Sequence, residues 1–308
     1  MRRRAAALAV AVLLDAALGE PPSQVHPVVL IGRVIGWLEA RAPRSGRGPQ
    51  LAYGVGIALG LPAAAGLVGL AVDWAARSLP APLGILLIAC LLKPTFAARD
   101  LFDHVERIRA PLEEERLDAA RASLQMIVSR DTSHLSAELV AAAAIESVAE
   151  NASDSFVAPV LAFAALGPAG ALAYRAANTL DAMIGYHGRY EYLGKAAARL
   201  DDLLNLAPSR LTAALIALAS PLGGGDARRA WRVAVRDHAR TESPNAGWPM
   251  ATMAGALGVE LEKVGHYRLG DPLERPTAAQ LRRAVRIVLG ALALASGLAL
   301  LLSAMREE

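Results

Sequence analysis

The chain has 308 residues, 54% of them hydrophobic, and its 32 Lys and Arg against 29 Asp and Glu leave a formal charge of +3. A mean hydropathy of +0.34 and long runs of Ala, Leu, Gly and Val place it among membrane-embedded proteins. The basic residues are scattered and aromatics make up only 5%, which excludes a nucleic-acid surface of clustered cations and stacking rings.

The opening "MRRRAAALAVAVLLDAALG" imitates a secretory signal, with a basic start and an apolar stretch. Asp15 interrupts that stretch and "EPPSQVHPVVLIG" follows directly, so a retained helix is expected, embedded near 5–18. The segments 51–72 and 285–304 each approach the ~20 apolar residues that a bilayer core requires, and read as spans. The run 82–92 is short; its Cys90, the single cysteine, is expected to pack as a small hydrophobe. The run 156–174 is broken by Pro159 and by "GPAG" at 167–170, which predicts a helical hairpin or re-entrant turn at Gly167-Pro168. Such a turn is needed if the polar stretches 93–155 and 175–282 are to build one site on one side of the membrane. Arg2 to Arg4 and Arg41, Arg44 and Arg47 both favour the cytoplasm, which holds only if the first helix does not cross.

The polar stretches read as helical. "APLEEERLDAARASLQMIVS" places Pro111 and a run of glutamates at a helix N-terminus. Ser136 can cap a helix through "AELVAAAAIESVAEN", with Glu138 in its first turn. No period-two pattern persists, and no repeat is found. The expected fold is all-α: one polytopic membrane domain over 1–308 with helical hairpin or re-entrant segments and helical loops facing the cytoplasm.

On the capped helix Glu146 and Glu150 lie one above the other, and Asp154 joins the row if the helix persists past Asn151. These acids repel, and no Lys or Arg occurs between Asp131 and Arg175 to offset them. A divalent cation would do so, and hard oxygen ligands suit Mg²⁺ shared with a phosphorylated substrate. A second group, "NTLDAMIG", sets Asn178 and Asp181 three residues apart, one turn after Tyr174 and Arg175. A third, "ARLDDLLNLAPSR", puts Asp201 and Asn205 on one face beside Asp202, flanked by Arg199 and Arg210. Any one of these could be a helix-surface network, but charged groups next to apolar runs usually mark function. In "SRDTSH", Arg130 with Thr132 and Ser133 ahead of a helix N-terminus could hold a phosphate. "GRYEYLGKA" has one residue too many for a P-loop and lacks its final Ser or Thr. The six histidines have no metal-ligand spacing and no G-x-S-x-G is present, which argues against zinc and against the common hydrolase elbow. His26 and His187 lie in Gly- and Pro-rich contexts where a base could sit, and "SPNAGWPMATMAGALG" reads as a tight packing turn.

The motifs "SRDTSHLSAELVAAAAIESVAENASDSFVAPVLAFAALG", "AYRAANTLDAMIGYHGRYEYLGKAAARLDDLLNLAPSRLTA" and "SPNAGWPMATMAGALG" closely resemble the CbiB/CobD family of cobalamin biosynthesis, the adenosylcobinamide-phosphate synthases. "LLDAALGEPPSQVHPVVLIGRVIGWLE" matches the family's opening, so the resemblance runs from about Leu14 to Gly270. It implies an inner-membrane ligase that joins aminopropanol or its O-phosphate to the free carboxylate of adenosylcobyric acid. ATP would form an acyl phosphate, with Mg²⁺ on the phosphates. The implied catalytic residues are Glu146, Glu150, Asp181 and His187, with His26 as a second choice of base. The implied metal ligands are Glu146, Glu150, Asp154, Asp181, Asp201 and Asp202. Substrate and phosphate would be held by Arg130, Asp131, Thr132, Asn151, Arg175, Asn178, Lys195, Arg199 and Asn245. The partners implied are the corrinoid, the amine, ATP and the lipid bilayer, with homo-oligomers or assembly with other late cobalamin-pathway enzymes left open. The chain departs from the family pattern near Met250 and in "LEKVGHY", so that segment stays outside the catalytic set; "PSR" at 208–210 replaces "PAR". Two competing readings are an intramembrane prenyltransferase using Mg²⁺-diphosphate and a non-enzymatic membrane sensor of the AmpE type. The first lacks its tightly spaced acidic repeats here, and the second would show eroded polar motifs.

Overall fold

The computed structural model describes residues 3–22, 24, 26–128 and 130–306; Arg2 and Ser129, used in the expectations above, lie outside them. In chain order the helices are α1 (Arg3–Leu18), α2 (Pro27–Glu39), α3 (Arg47–Ser78), α4 (Ala81–Leu92), α5 (Ala98–Glu113), α6 (Leu117–Gln125) and α7 (Ala137–Ala152). After a π-helical turn at Ser153–Val157 come α8 (Ala158–Leu166), α9 (Pro168–Ile184), α10 (Lys195–Leu204), α11 (Leu206–Ala219), α12 (Ala227–Asp237) and α13 (Gly247–Leu257). A hairpin of β1 (Glu260–Lys263) and β2 (Tyr267–Gly270) precedes the last helix, α14 (Ala278–Met305). The all-α expectation holds, and the hairpin is its exception. Its strands alternate, with Leu261 and Leu269 fully buried, but four residues each are too few for the period to register in sequence.

Among the described residues, helices long and apolar enough to cross a membrane number four: Arg47–Ser78, Ala81–Glu113, Leu206–Gly223 and Ala278–Met305. The first and last contain the expected spans. On α3 the outward residues include Leu59, Leu67, Leu70 and Trp74, all more than half exposed, as a lipid-facing surface requires. The run Ala81–Glu113 is continuous only in length, because a 3₁₀ turn at Lys93–Thr95 and an extended Phe96 (φ −138°, ψ 156°) separate α4 from α5. Cys90 is exposed on α4 rather than packed. Pro111 also departs from expectation. It sits in the last turn of α5, where it removes one helical hydrogen bond just before the helix ends at Glu113, and the chain reverses at Glu115 (φ 56°) before α6.

The chain divides into two compact units. The first comprises Met1–Ala97, Ala158–Asn205 and Ser296–Glu308. Here Gly167 (φ 66°) ends α8 and Pro168 opens α9, and the two helices fold back so closely that a Cβ on Gly170 would lie 2.2 Å from the Ala162 carbonyl oxygen. The turn expected at Gly167-Pro168 is therefore present. α9 packs on α3, where a Cβ on Gly69 would meet the Ala169 backbone at 2.5 Å. The second unit comprises Ala98–Val157 and Leu206–Ala295. Its core is α7, buried from Val140 through Ala149, which explains why "AELVAAAAIESVAEN" is mostly small: neighbours close on it from every side.

Candidate functional site

In the second unit, Ser136 caps α7 as expected, its Oγ accepting from the Leu139 N–H at 3.3 Å. The helix carries Glu146 into the interior, where it is only 5% exposed. Arg130, from the preceding loop, donates to Glu146 Oε2 at 2.7 Å. The other oxygen, Oε1, is buried without a well-formed hydrogen bond, although Tyr267 stands beside the carboxylate. Burial pushes the Glu146 carboxyl up against the opposing pull of Arg130 and Lys263. Burial and the charges of Glu146 and Glu150 likewise push the Tyr267 phenol up.

These groups line a cavity of about 160 Å³ with Glu150 and Asn151. Glu150, Met250, Lys263 and Tyr267 also line an adjoining space of about 360 Å³ that reaches Arg240, Thr241 and Ser243. The β hairpin delivers Lys263 and Tyr267 as a cross-strand pair. It is pinned by Asp237, which is fully buried, bound by Arg236 at 2.7 Å and accepting from the Gly270 N–H at 2.9 Å. Burial opposes the Asp237 charge, but Arg236 and the Gly270 N–H outweigh it and hold the carboxyl below the usual range. Lys263 and Tyr267 belong to the "LEKVGHY" segment that sequence reasoning set aside. The alternation of "ELEK" and "YRLG" around "VGH" is too short to have marked them in the sequence.

Asp131, Thr132, Asp154 and Asn245 of this unit do not line that cavity. Asp154 falls on the π-helical turn, which breaks the row begun by Glu146 and Glu150, and it does not line the cavity. Asn151 bonds to the Ser147 carbonyl at 2.9 Å and accepts from Ser155 at 3.0 Å. Thr132 donates to the Arg121 carbonyl at 2.9 Å and Asp131 accepts from the Ser133 N–H at 2.9 Å, so both shape the loop that presents Arg130. Asn245 is buried and accepts from Ser209 and Arg210, each at 3.3 Å.

In the first unit, α9 and α10 bring the other two motifs together. Asn178 donates to Asp201 Oδ1 at 3.2 Å and Asn205 to Asp201 Oδ2 at 2.9 Å, while Tyr174 donates to Asn205 at 2.9 Å. Arg175 reaches Asn178 at 3.3 Å and Arg199 reaches Asp202 at 3.8 Å. Asp181 is pushed up to about 7, first by burial and then by the Asp201 and Asp202 charges. Burial also raises Asp201, against the two asparagine bonds, and Asp202, against Arg199. Gly185 makes room for this carboxylate: a Cβ there would lie 1.9 Å from Asp181 Oδ1. Lys195 is the exposed first residue of α10.

The two candidate bases are placed differently. The His187 side chain is 90% exposed and pairs with Glu191 at 2.8 Å. His26 caps α2: its Nδ1 accepts from the Val28 N–H at 3.1 Å, so Nε2 carries the proton and donates to Glu20 at 2.5 Å. Glu20 is held in turn by Lys93 at 2.8 Å. Among the described residues no three Asp, Glu, His or Cys side chains converge as a metal-ligating group. Mg²⁺ bound through one or two carboxylates and substrate phosphates needs no such group. Glu146, with its unbonded Oε1, and Glu150 one turn on fit that mode.

The family described as CobD/Cbib protein matches residues 8–290. A cobalamin biosynthesis protein CobD of Dehalococcoides mccartyi is 44% identical over 272 residues, covering 88% of each chain. One of Geobacter metallireducens is 43% identical over 303 residues, covering 94% of each. A probable cobalamin biosynthesis protein CobD of Pyrococcus furiosus is 42% identical over 283 residues, 91% of this chain and 92% of that one. No solved structure matches.

Proposed function

The chain belongs to the CobD/CbiB family of cobalamin biosynthesis, and we propose that it is an amide-forming ligase within that pathway. In this reading it joins aminopropanol or its O-phosphate to the free carboxylate of adenosylcobyric acid, giving adenosylcobinamide or its phosphate. Uniting a carboxylate with an ammonium in water is uphill. ATP as co-substrate would make the carboxylate an acyl phosphate, releasing ADP; the amine nitrogen would then displace phosphate at the acyl carbon and lose a proton. The observation that supports this reading most is Glu146: a buried carboxylate with one oxygen on Arg130 and the other unbonded, at the wall of a cavity that Lys263 and Tyr267 share.

The chemistry that Mg²⁺ supplies when bound is neutralisation of phosphate charge, with Glu146 and Glu150 as its protein ligands. Arg130 and Lys263 would add fixed positive charge at the same cavity, where a low dielectric magnifies it. In the other unit, Asp181 is poised to take a proton near neutral pH, its carboxyl being pushed up to about 7, and is a better-placed acceptor than the exposed His187. Arg175, Asn178, Lys195 and Arg199 would serve there as donors to anionic substrate groups, with Asp201 and Asp202 as cation ligands. The enzyme would be a multi-pass inner-membrane protein with this chemistry on the cytoplasmic side. Supporting that orientation, arginines gather at the end shared by α11 and α14, where Arg283 donates to the Gly223 and Gly224 carbonyls, each at 2.9 Å.

The test is rescue of a strain unable to make cobinamide, fed adenosylcobyric acid, by the wild-type chain and by Glu146→Gln and Glu150→Gln. Wild type should restore cobinamide, and each Gln variant should insert normally yet lose on the order of a hundredfold in product formation. Failure of wild type sinks the ligase reading. Full activity of both Gln variants sinks the site assignment alone.

A further inference from the structure

α12 has no part in the proposed reaction, yet its surface is not that of an ordinary solvated helix. Ala230, Val233, Ala234 and Asp237 are its buried side. The opposite stripe, at helical spacing, is Arg228, Trp231, Arg232 and Val235, with Trp231 45% and Val235 53% exposed. The neighbouring cations are engaged: Arg229 donates to the Gly255 and Ala256 carbonyls, and Arg236 binds Asp237 and Asp271. Among the described residues Arg228 and Arg232 form no ion pair: Asp226, the acid nearest in sequence to Arg228, caps α12 through the Arg228 and Arg229 N–H groups, and Asp237, the acid nearest to Arg232, is bound by Arg236. A tryptophan and a valine beside two unpaired arginines suit a helix lying in the headgroup layer, with ring and aliphatic stems in the acyl boundary and guanidinium groups on phosphate.

The position of α12 in the second unit agrees. It follows the candidate span α11 after the turn at Gly223 to Gly225, and α14, another candidate span, begins beside that turn. A Cβ on Gly290 would lie 2.4 Å from Leu222 Cδ1. Leu218 and Leu222, 68% and 63% exposed, carry the apolar surface of α11 up to α12, and the exposed Arg286 stands on the early turns of α14. We propose that α12 is an interfacial helix that binds anionic phospholipid headgroups through Arg228 and Arg232 and seats Trp231 and Val235 at the acyl boundary.

The test uses the full chain with Cys90→Ala and Val235→Cys carrying a polarity-sensitive fluorophore, reconstituted in phosphatidylcholine vesicles to which phosphatidylglycerol is added stepwise. Emission should shift to the blue as the anionic lipid increases, and high salt should reverse the shift. Arg228→Gln with Arg232→Gln should lower the docked-to-undocked ratio roughly thirtyfold, about fivefold for each arginine. Lysine at both positions keeps the charge and should keep the shift, which separates lost attraction from damaged folding. Emission indifferent to phosphatidylglycerol, or a glutamine pair that behaves as wild type, overturns the proposal. So does an equal shift produced in pure phosphatidylcholine by inorganic phosphate, which would mark a site for free anions.

Discussion

Removing Arg130 should expose how the Glu146 carboxylate is held. The pair is 2.7 Å apart, with the Glu146 side chain 6% and the Arg130 side chain 21% exposed, so Arg130→Met strands a buried acid rather than a surface one. Breaking such a pair costs about 3–5 kcal/mol when the remaining group stays charged. Glu146 can escape part of that cost by taking a proton, at about 1.4 kcal/mol for each pH unit between the solution and its own pKa. Its carboxyl is already raised by burial, so between the ordinary carboxyl value of 4.5 and the raised one the folded chain binds more proton than the unfolded chain does. Stability from this group therefore falls as pH rises from the ordinary value through the folded one, and losing Arg130 moves the folded value further up. The deficit of Arg130→Met should be small near about pH 5 and grow to roughly 3 kcal/mol near about pH 8, moderated by Lys263. Thermal unfolding of the detergent-solubilised protein across that range would measure it. Adding Glu146→Gln should remove the pH dependence while leaving Met in place. A deficit equal at both ends, or one that keeps its slope in the double variant, would refute the reasoning.

Asp181 offers the same sign in the other unit. Its carboxyl, pushed up to about 7 from the ordinary aspartate value of 3.8, withdraws stability as pH climbs between those values. Asp181→Asn should flatten this dependence and stabilise the fold at neutral pH by at most about 4 kcal/mol, read as a higher unfolding midpoint, while product formation falls. Gly185→Ala should displace that carboxylate, because its Cβ would lie 1.9 Å from Oδ1. A marked loss of cobinamide in the rescue strain, with normal membrane insertion, is the expected outcome; unchanged yield would show that Asp181 tolerates another position.

Some of this was legible in the chain because the signals are local. Runs of apolar residues near 51–72 and 285–304 reveal spans by length alone, Ser136 announces the start of α7, and Gly167-Pro168 announces a turn through its backbone geometry. The spacing of Glu146 and Glu150 follows from the helical period. The span Leu206–Gly223 escaped notice because polar residues at its start dilute its hydropathy, and Pro111 misled because proline favours a helix start, whereas here it lies in the turn that ends α5.

Partnership was not legible. The acids of α7 had no cation within helical reach in the sequence, yet Arg130 arrives from the preceding loop and Lys263 from a hairpin more than a hundred positions on. Whether His26 is a free base or a cap depends on two hydrogen bonds, and whether Asp154 continues the row depends on a π-helical turn. By itself the sequence determined the membrane class, the helical periods and the identity of the charged groups, since these depend on nearest neighbours along the chain. Only the tertiary structure decided which carboxylate is buried, which cation meets it and how far its proton affinity moves. Burial and Coulomb energy depend on distances through space, which separation along the chain does not set.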